Sequence, residues 1–172
     1  MNAKKPSESE VTMTEIVLPN DTNALHNLRG GKILHWMDIA SAISAGKHTQ
    51  AVCVTAAVDN VSFENPIKLG DVVTIKAKVT RAFRTSLETY IEVTAENLPT
   101  QNTYKCNTAY YTFVALDSNG RPKKVPVVEP ETEDEHQQFA DALRRRELRL
   151  LLAGRLKAEE ATEIQSLFKT DK

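Results

Sequence analysis

One carboxylate, Asp38, stands in KILHWMDIASAISA (residues 32–45), a stretch that is otherwise almost continuously apolar. An ionised carboxylate in an apolar setting costs several kcal/mol unless partners compensate, so Asp38 must meet water, meet hydrogen-bond donors, or hold its proton. Each outcome is useful chemically, because a carboxylate tuned by burial can serve as a base near neutral pH. A structural role is the competing reading: Asp38 would pair with His35 or Ser41, its helical neighbours, at a subunit contact.

Immediately upstream stand Gly30 and Gly31, preceded by Asn27. If a helix begins at the glycine pair, its unshielded N–H groups and positive dipole end point at whatever lies beyond. Such a tip can polarise a carbonyl oxygen, with Asn27 as a side-chain donor. A plain flexible Gly-Gly turn is the alternative. Arg29, between Asn27 and the glycines, is either a solvated cation or a partner for phosphate or carboxylate.

These residues need elements to hold them. Lys32 to Ala45 holds no Pro or Gly and places apolar residues round most of a helical wheel, so the helix is expected to be enclosed by the rest of the fold, with Gly46 as its stop. VTMTEIVLP, ending at Pro19, reads as a first strand. AVCVTAAV sets Val52, Val54, Ala56 and Val58 on one face, and Val61 and Phe63 resume with the other parity, which implies a bulge near Asp59 and Asn60. DVVTIKAKVT and SLETYIEVTAEN alternate, with Val73, Ile75, Ala77, Val79, Leu87, Ile91, Val93 and Ala95 inward. Lysines 76 and 78 face glutamates 88, 92 and 96 on the expected solvated side. YKCNTAYYTFVAL is apolar on both parities and suits a central or interface strand. A helix follows, with Thr132 and Glu135 in capping-box spacing, and Gly154 breaks it. The order is one strand, a buried helix, then four strands: an α+β fold in which an antiparallel sheet wraps a long helix.

Several classes are excluded. Net charge is −1 with basic and acidic residues interleaved, so there is no nucleic-acid footprint. No apolar run approaches the ~20 residues that span a bilayer, and the polar N-terminus lacks a signal-peptide core, so a cytoplasmic protein with no membrane partner is expected. Cys53 and Cys106 read as unpaired small hydrophobes in a reducing compartment. His26, His35, His48 and His136 show no paired ligand spacing, so no metal is expected. There is no G-x-S-x-G elbow and no P-loop spacing.

The motif N-x-x-x-N-x-x-G-G from Asn23 to Gly31, followed seven residues later by Asp38, and F-x-x-P-x-x-x-G-D from Phe63 to Asp71, resemble the hotdog-fold acyl-coenzyme A thioesterases of the YciA and cytosolic acyl-CoA hydrolase group. RTSLE and AYYTFVALD extend the resemblance over roughly residues 10–125. It implies a hotdog domain over residues 10–127, between a flexible tail at 1–9 and a C-terminal helical extension at 128–172. It also implies a homodimer, assembled further into a trimer of dimers, with the active site at the dimer interface.

In that arrangement Gly30 and Gly31 polarise the thioester carbonyl. Asp38 of the facing subunit activates water or attacks directly, and Asn27 holds the water or the carbonyl. Related enzymes contact the coenzyme A at the turn that here carries Arg84, Thr85 and Ser86, and Asn60 at the bulge is a further candidate contact. No cofactor is required, coenzyme A being part of substrate and product. Where many relatives have His before the glycine pair this chain has Arg29, which leaves a catalytic side chain at that position in doubt. Two further readings on the same fold are a non-catalytic acyl-CoA binding or sensing module and an enoyl-thioester hydratase using His26 or His35.

Overall fold

The computed structural model describes residues 2–168. Its contacts divide the chain into one unit up to Glu129 and a second from Pro130 onward. In the first unit five antiparallel strands run β1 (Val11–Ile16), β2 (Val52–Phe63), β3 (Val72–Ala82), β4 (Ser86–Asn97) and β5 (Asn102–Leu116), in the spatial order β1-β3-β4-β5-β2. The long helix α2 (Gly30–Thr49) lies against the sheet, touching β3 most.

Period-two patterning forms the core. The eight inward residues expected on β3 and β4 are each at most 1% exposed, facing Ile33, Trp36, Met37, Ala40 and Ala45 of α2. β5 lies between β4 and β2, the central place its two-sided apolar pattern calls for. Lys76 sits opposite Glu92 on the other face, and Lys105 pairs with the same glutamate at 3.2 Å. Glu88, expected in solvent with Glu92 and Glu96, is instead buried and accepts from Thr80 Oγ1 at 2.7 Å.

Four further expectations are corrected. The loose tail is a helical turn, α1 (Pro6–Ser9), whose buried Ser9 hydroxyl accepts from the Val79 N–H at 3.0 Å. Gly46 does not stop α2, which continues to Thr49 and closes at Gln50 in the left-handed conformation. Nor is α2 enclosed within one copy: Ile39 and Ile43 are 36% and 47% exposed along one stripe. The parity of β2 flips twice. The bulge expected at Asp59 and Asn60 is present, with Asn60 at φ 50°, but a second irregularity falls between Thr55 and Ala57. By register, Val52 and Val54 therefore stand on the outer face, whereas Thr55 and Val58 turn towards α2.

In the second unit α3 (Glu133–Leu152) begins at the expected capping box, Glu135 N–H donating to Thr132 Oγ1 at 3.2 Å, and Gly154 at φ 65° follows its end. A short helix α4 (Thr162–Ser166) packs on α3.

Candidate active site

The loop before α2 is held by its own side chains. Asn23 Oδ1 accepts from the N–H groups of Leu25 and Asn27 at 2.9 and 3.2 Å, and the Leu28 N–H donates to Ile67 O at 2.7 Å. The second motif supplies the other wall of this turn. Gly70 adopts φ 86°, and the buried Asp71 accepts from the Lys68 N–H, Asn97 and the Tyr104 hydroxyl at 2.9, 3.1 and 2.6 Å. Asp71 thus clasps the 68–71 turn to the ends of β4 and β5, and the Leu28–Ile67 bond joins the loop before α2 to that turn.

Gly30 and Gly31 form the first turn of α2. Neither has positive φ. A Cβ on Gly30 would come no closer than 3.6 Å to the Phe63 ring, and one on Gly31 would meet nothing within 4 Å. The protein's own packing therefore does not demand glycine here, and alanine is the better helix former. The remaining use for a bare backbone is close approach by something from outside. Asn27 flanks the tip, and among the described residues its side-chain amide has no hydrogen-bond partner within the protomer. The exposed Arg29 guanidinium directs two of its five N–H groups to the carbonyls of Asn20 at 2.7 Å and Asp21 at 3.4 Å.

Asp38 lies two turns along the same helix and lines an open groove of about 440 Å³ with Gly31, Leu34, His35, Val58, Val61 and Tyr111. Its carboxylate is half-buried, and its Oδ1 accepts from the Thr55 hydroxyl at 2.7 Å, within the range of strong charge-assisted bonds. The alternative partner Ser41 donates instead to Met37 O at 2.7 Å. His35 shares the groove with Asp38. The Tyr111 phenol is pushed up to about 12 by burial and by the charge of Asp38, so it stays protonated.

Sequence reasoning missed Thr55 and Tyr111. A threonine and a tyrosine in β-rich runs are what strands ordinarily contain, so neither residue type carried a signal. Asn60 sits between two groove residues, Val58 and Val61. Arg84, Thr85 and Ser86 form the β3–β4 hairpin, closed by Phe83 N–H to Ser86 O at 2.8 Å. The register Ser86–Val114–Val54 puts that hairpin at the level of Thr55, two strand spacings or roughly 10 Å across the sheet. The groove around Asp38 does not include it.

Comparison with known proteins bears on this arrangement. The thioesterase superfamily model matches residues 25–100. The uncharacterized acyl-CoA thioester hydrolase YkhA of Bacillus subtilis is 43% identical over 128 residues, 74% of each chain. Acyl-coenzyme A thioesterase 11 of mouse is 39% identical over 149 residues, 87% of this chain, which spans only 25% of that protein's length. Among solved structures, a hexameric acyl-CoA thioesterase superposes with TM-score 0.86 at 37% identity, covering 89% of this chain and 98% of its own. An acyl-CoA hydrolase from Staphylococcus aureus, solved with butyryl coenzyme A, coenzyme A and coenzyme A disulfide, gives TM-score 0.82 at 35% identity over 97% and 99%.

Proposed function

Because the chain belongs to the hotdog-fold acyl-CoA thioesterases, we propose that it hydrolyses fatty acyl-coenzyme A to a free fatty acid and coenzyme A at a site shared between two copies. The observation that carries this reading is the glycine tip without a packing reason, on the same helix as a groove-lining carboxylate held by one hydroxyl. The backbone N–H groups of Gly30 and Gly31, with Asn27, would polarise the thioester carbonyl. Asp38 Oδ1 is occupied by Thr55, which leaves Oδ2 to take a proton from water as the water oxygen bonds to the carbonyl carbon. Collapse of the tetrahedral intermediate breaks the carbon–sulfur bond, and the thiolate leaves without strong acid assistance.

Helix geometry argues that two copies share the work. Gly31 and Asp38 are seven residues apart, roughly 10 Å along the axis at 1.5 Å per residue, whereas attacking water and carbonyl must lie within about 3.5 Å. A second copy with its α2 antiparallel would bring its own Asp38 beside this chain's glycine tip. The exposed Ile39 and Ile43 stripe and the edge strand β2, where Val52, Val54 and Val58 are 70%, 44% and 42% exposed, offer such a copy an apolar surface. Three of these dimers would make the hexamer seen in a solved relative. At the coenzyme A end we assign the exposed Arg84 with Thr85 and Ser86, the guanidinium fork suiting a phosphate, with Asn60 beside the groove. Residues 10–127 would form the catalytic domain and 128–172 the extension, and the two free thiols, Cys53 and Cys106, accord with a reducing cytoplasm.

The test is thiol release from acetyl to palmitoyl coenzyme A by the wild type and by Asp38→Ala. Turnover is expected to disappear in the variant while coenzyme A affinity stays. A wild type that binds acyl-CoA and releases no thiol would instead identify a sensing module.

A further inference from the structure

The groove that holds Asp38 is built on two attachments of different kinds. Thr55, on β2, reaches the carboxylate itself. Tyr111, on β5, does not. Its hydroxyl donates to the main-chain carbonyl of Leu34 at 3.2 Å. In an α-helix the carbonyl of residue 34 also accepts the N–H of residue 38, so Tyr111 bonds to the oxygen that closes the helical turn carrying Asp38. A carbonyl oxygen has two lone pairs and accepts both bonds.

The tyrosine is itself held firmly. It is 2% exposed, its ring lies 6.4 Å from that of Phe113 at 17° between planes, and its backbone is paired on both sides, to Val58 of β2 and Thr89 of β4. A central strand is among the least mobile parts of a sheet, whereas the exposed stripe of α2 faces outward. Resting on the reading of this groove as a thioesterase site, we propose that Tyr111 is a positioning residue for the reaction: its phenol ties the Leu34–Asp38 turn to the sheet and sets the distance between the carboxylate and the thioester carbonyl. A displacement of about 1 Å between reacting groups can cost on the order of a hundredfold in rate, so a bond that fixes one turn has a kinetic consequence larger than its stability contribution.

Tyr111→Phe removes only the hydroxyl. The ring still fills its place, and Leu34 O keeps its helical partner, so no buried group is orphaned and the variant folds. Its kcat is expected to fall roughly tenfold with KM within about twofold, the pattern of an interaction that matters in the transition state. The matched control is Ile75→Val, a fully buried core position on β3. Its register partners, Val93 on β4 and through it Asn107 on β5, place it two strands away and four residues along the sheet from Tyr111. This change is expected to lower the melting temperature at least as much while leaving kcat at the wild-type value. Wild-type kcat in Tyr111→Phe, a change confined to KM, or an equal loss of kcat in Ile75→Val overturns the positioning role while thioester hydrolysis by the wild type stands. Absence of turnover in the wild type itself removes the functional reading and this role with it.

Discussion

At the scale of single residues the carboxylate proposed to activate water, Asp38, is held by one hydroxyl. Thr55 Oγ1 donates to Asp38 Oδ1 at 2.7 Å from a strand that is itself an edge. Thr55→Val keeps the shape and removes the donor. Its kcat is expected to drop roughly tenfold with KM nearly unchanged, and Thr55→Ser to recover most of it, since serine restores the hydroxyl. Steady-state kinetics on one acyl-CoA decide this. Asp38 was legible in the sequence because a lone carboxylate on an apolar helix is conspicuous energetically. Its partner was not, because the second irregularity of β2, between Thr55 and Ala57, turns Val58 to the same side as Thr55 and is written in no turn residue. For Arg29 the sequence left open a solvated cation or an anion partner, and what no motif announced is that two of its five N–H groups turn back onto the carbonyls of Asn20 and Asp21.

At the scale of elements the start of α2 separates stability from function. Gly30→Ala and Gly31→Ala place a methyl where the nearest protein atom is 3.6 Å away or beyond 4 Å, and alanine favours the helix by up to about 1 kcal/mol. Both variants are therefore expected to melt at or above the wild-type temperature while losing thiol-release activity, because the methyl stands between the N–H groups and an incoming carbonyl. A fall in melting temperature together with activity would show that the glycines serve the fold. The alternation of β3 and β4 made their core legible, and the Thr132 and Glu135 pair did the same for the start of α3. The helix was harder. Its apolar residues cover most of the wheel, which periodicity reads as enclosure within one chain, but a helix half covered by its own sheet and half by another molecule carries the same pattern. The exposed Ile39 and Ile43 are the difference.

At the scale of the whole molecule two terms act on every part of the fold at once: protonation and assembly. His48 is fully buried near the end of α2, with Nε2 bonded to Pro126 O at 2.9 Å and Nδ1 without a partner among the described residues. Burial holds its pKa below the ordinary value, with Lys4 acting the same way and Glu8 and the Pro126 bond opposing. The folded state thus binds this proton less readily than the unfolded chain, so stability is complete above about pH 6.5 and declines as pH falls through and below it. Melting curves between pH 7.5 and 5.5 should show that decline, and His48→Gln should flatten it. Assembly is probed from the exposed stripe. Ile43→Glu puts a charge where a solvated side chain costs nothing in an isolated copy, whereas an unpaired carboxylate in a covered apolar seam costs several kcal/mol. Sedimentation is expected to find the wild type as an oligomer and the variant as monomer. The variant retains Gly30, Gly31, Thr55 and Asp38, so its chemistry is intact within each chain, and its turnover should nevertheless collapse, because the 10 Å between tip and carboxylate on one helix can be bridged only by a neighbour. A monomeric Ile43→Glu that hydrolyses acyl-CoA at the wild-type rate would place the whole reaction inside a single copy.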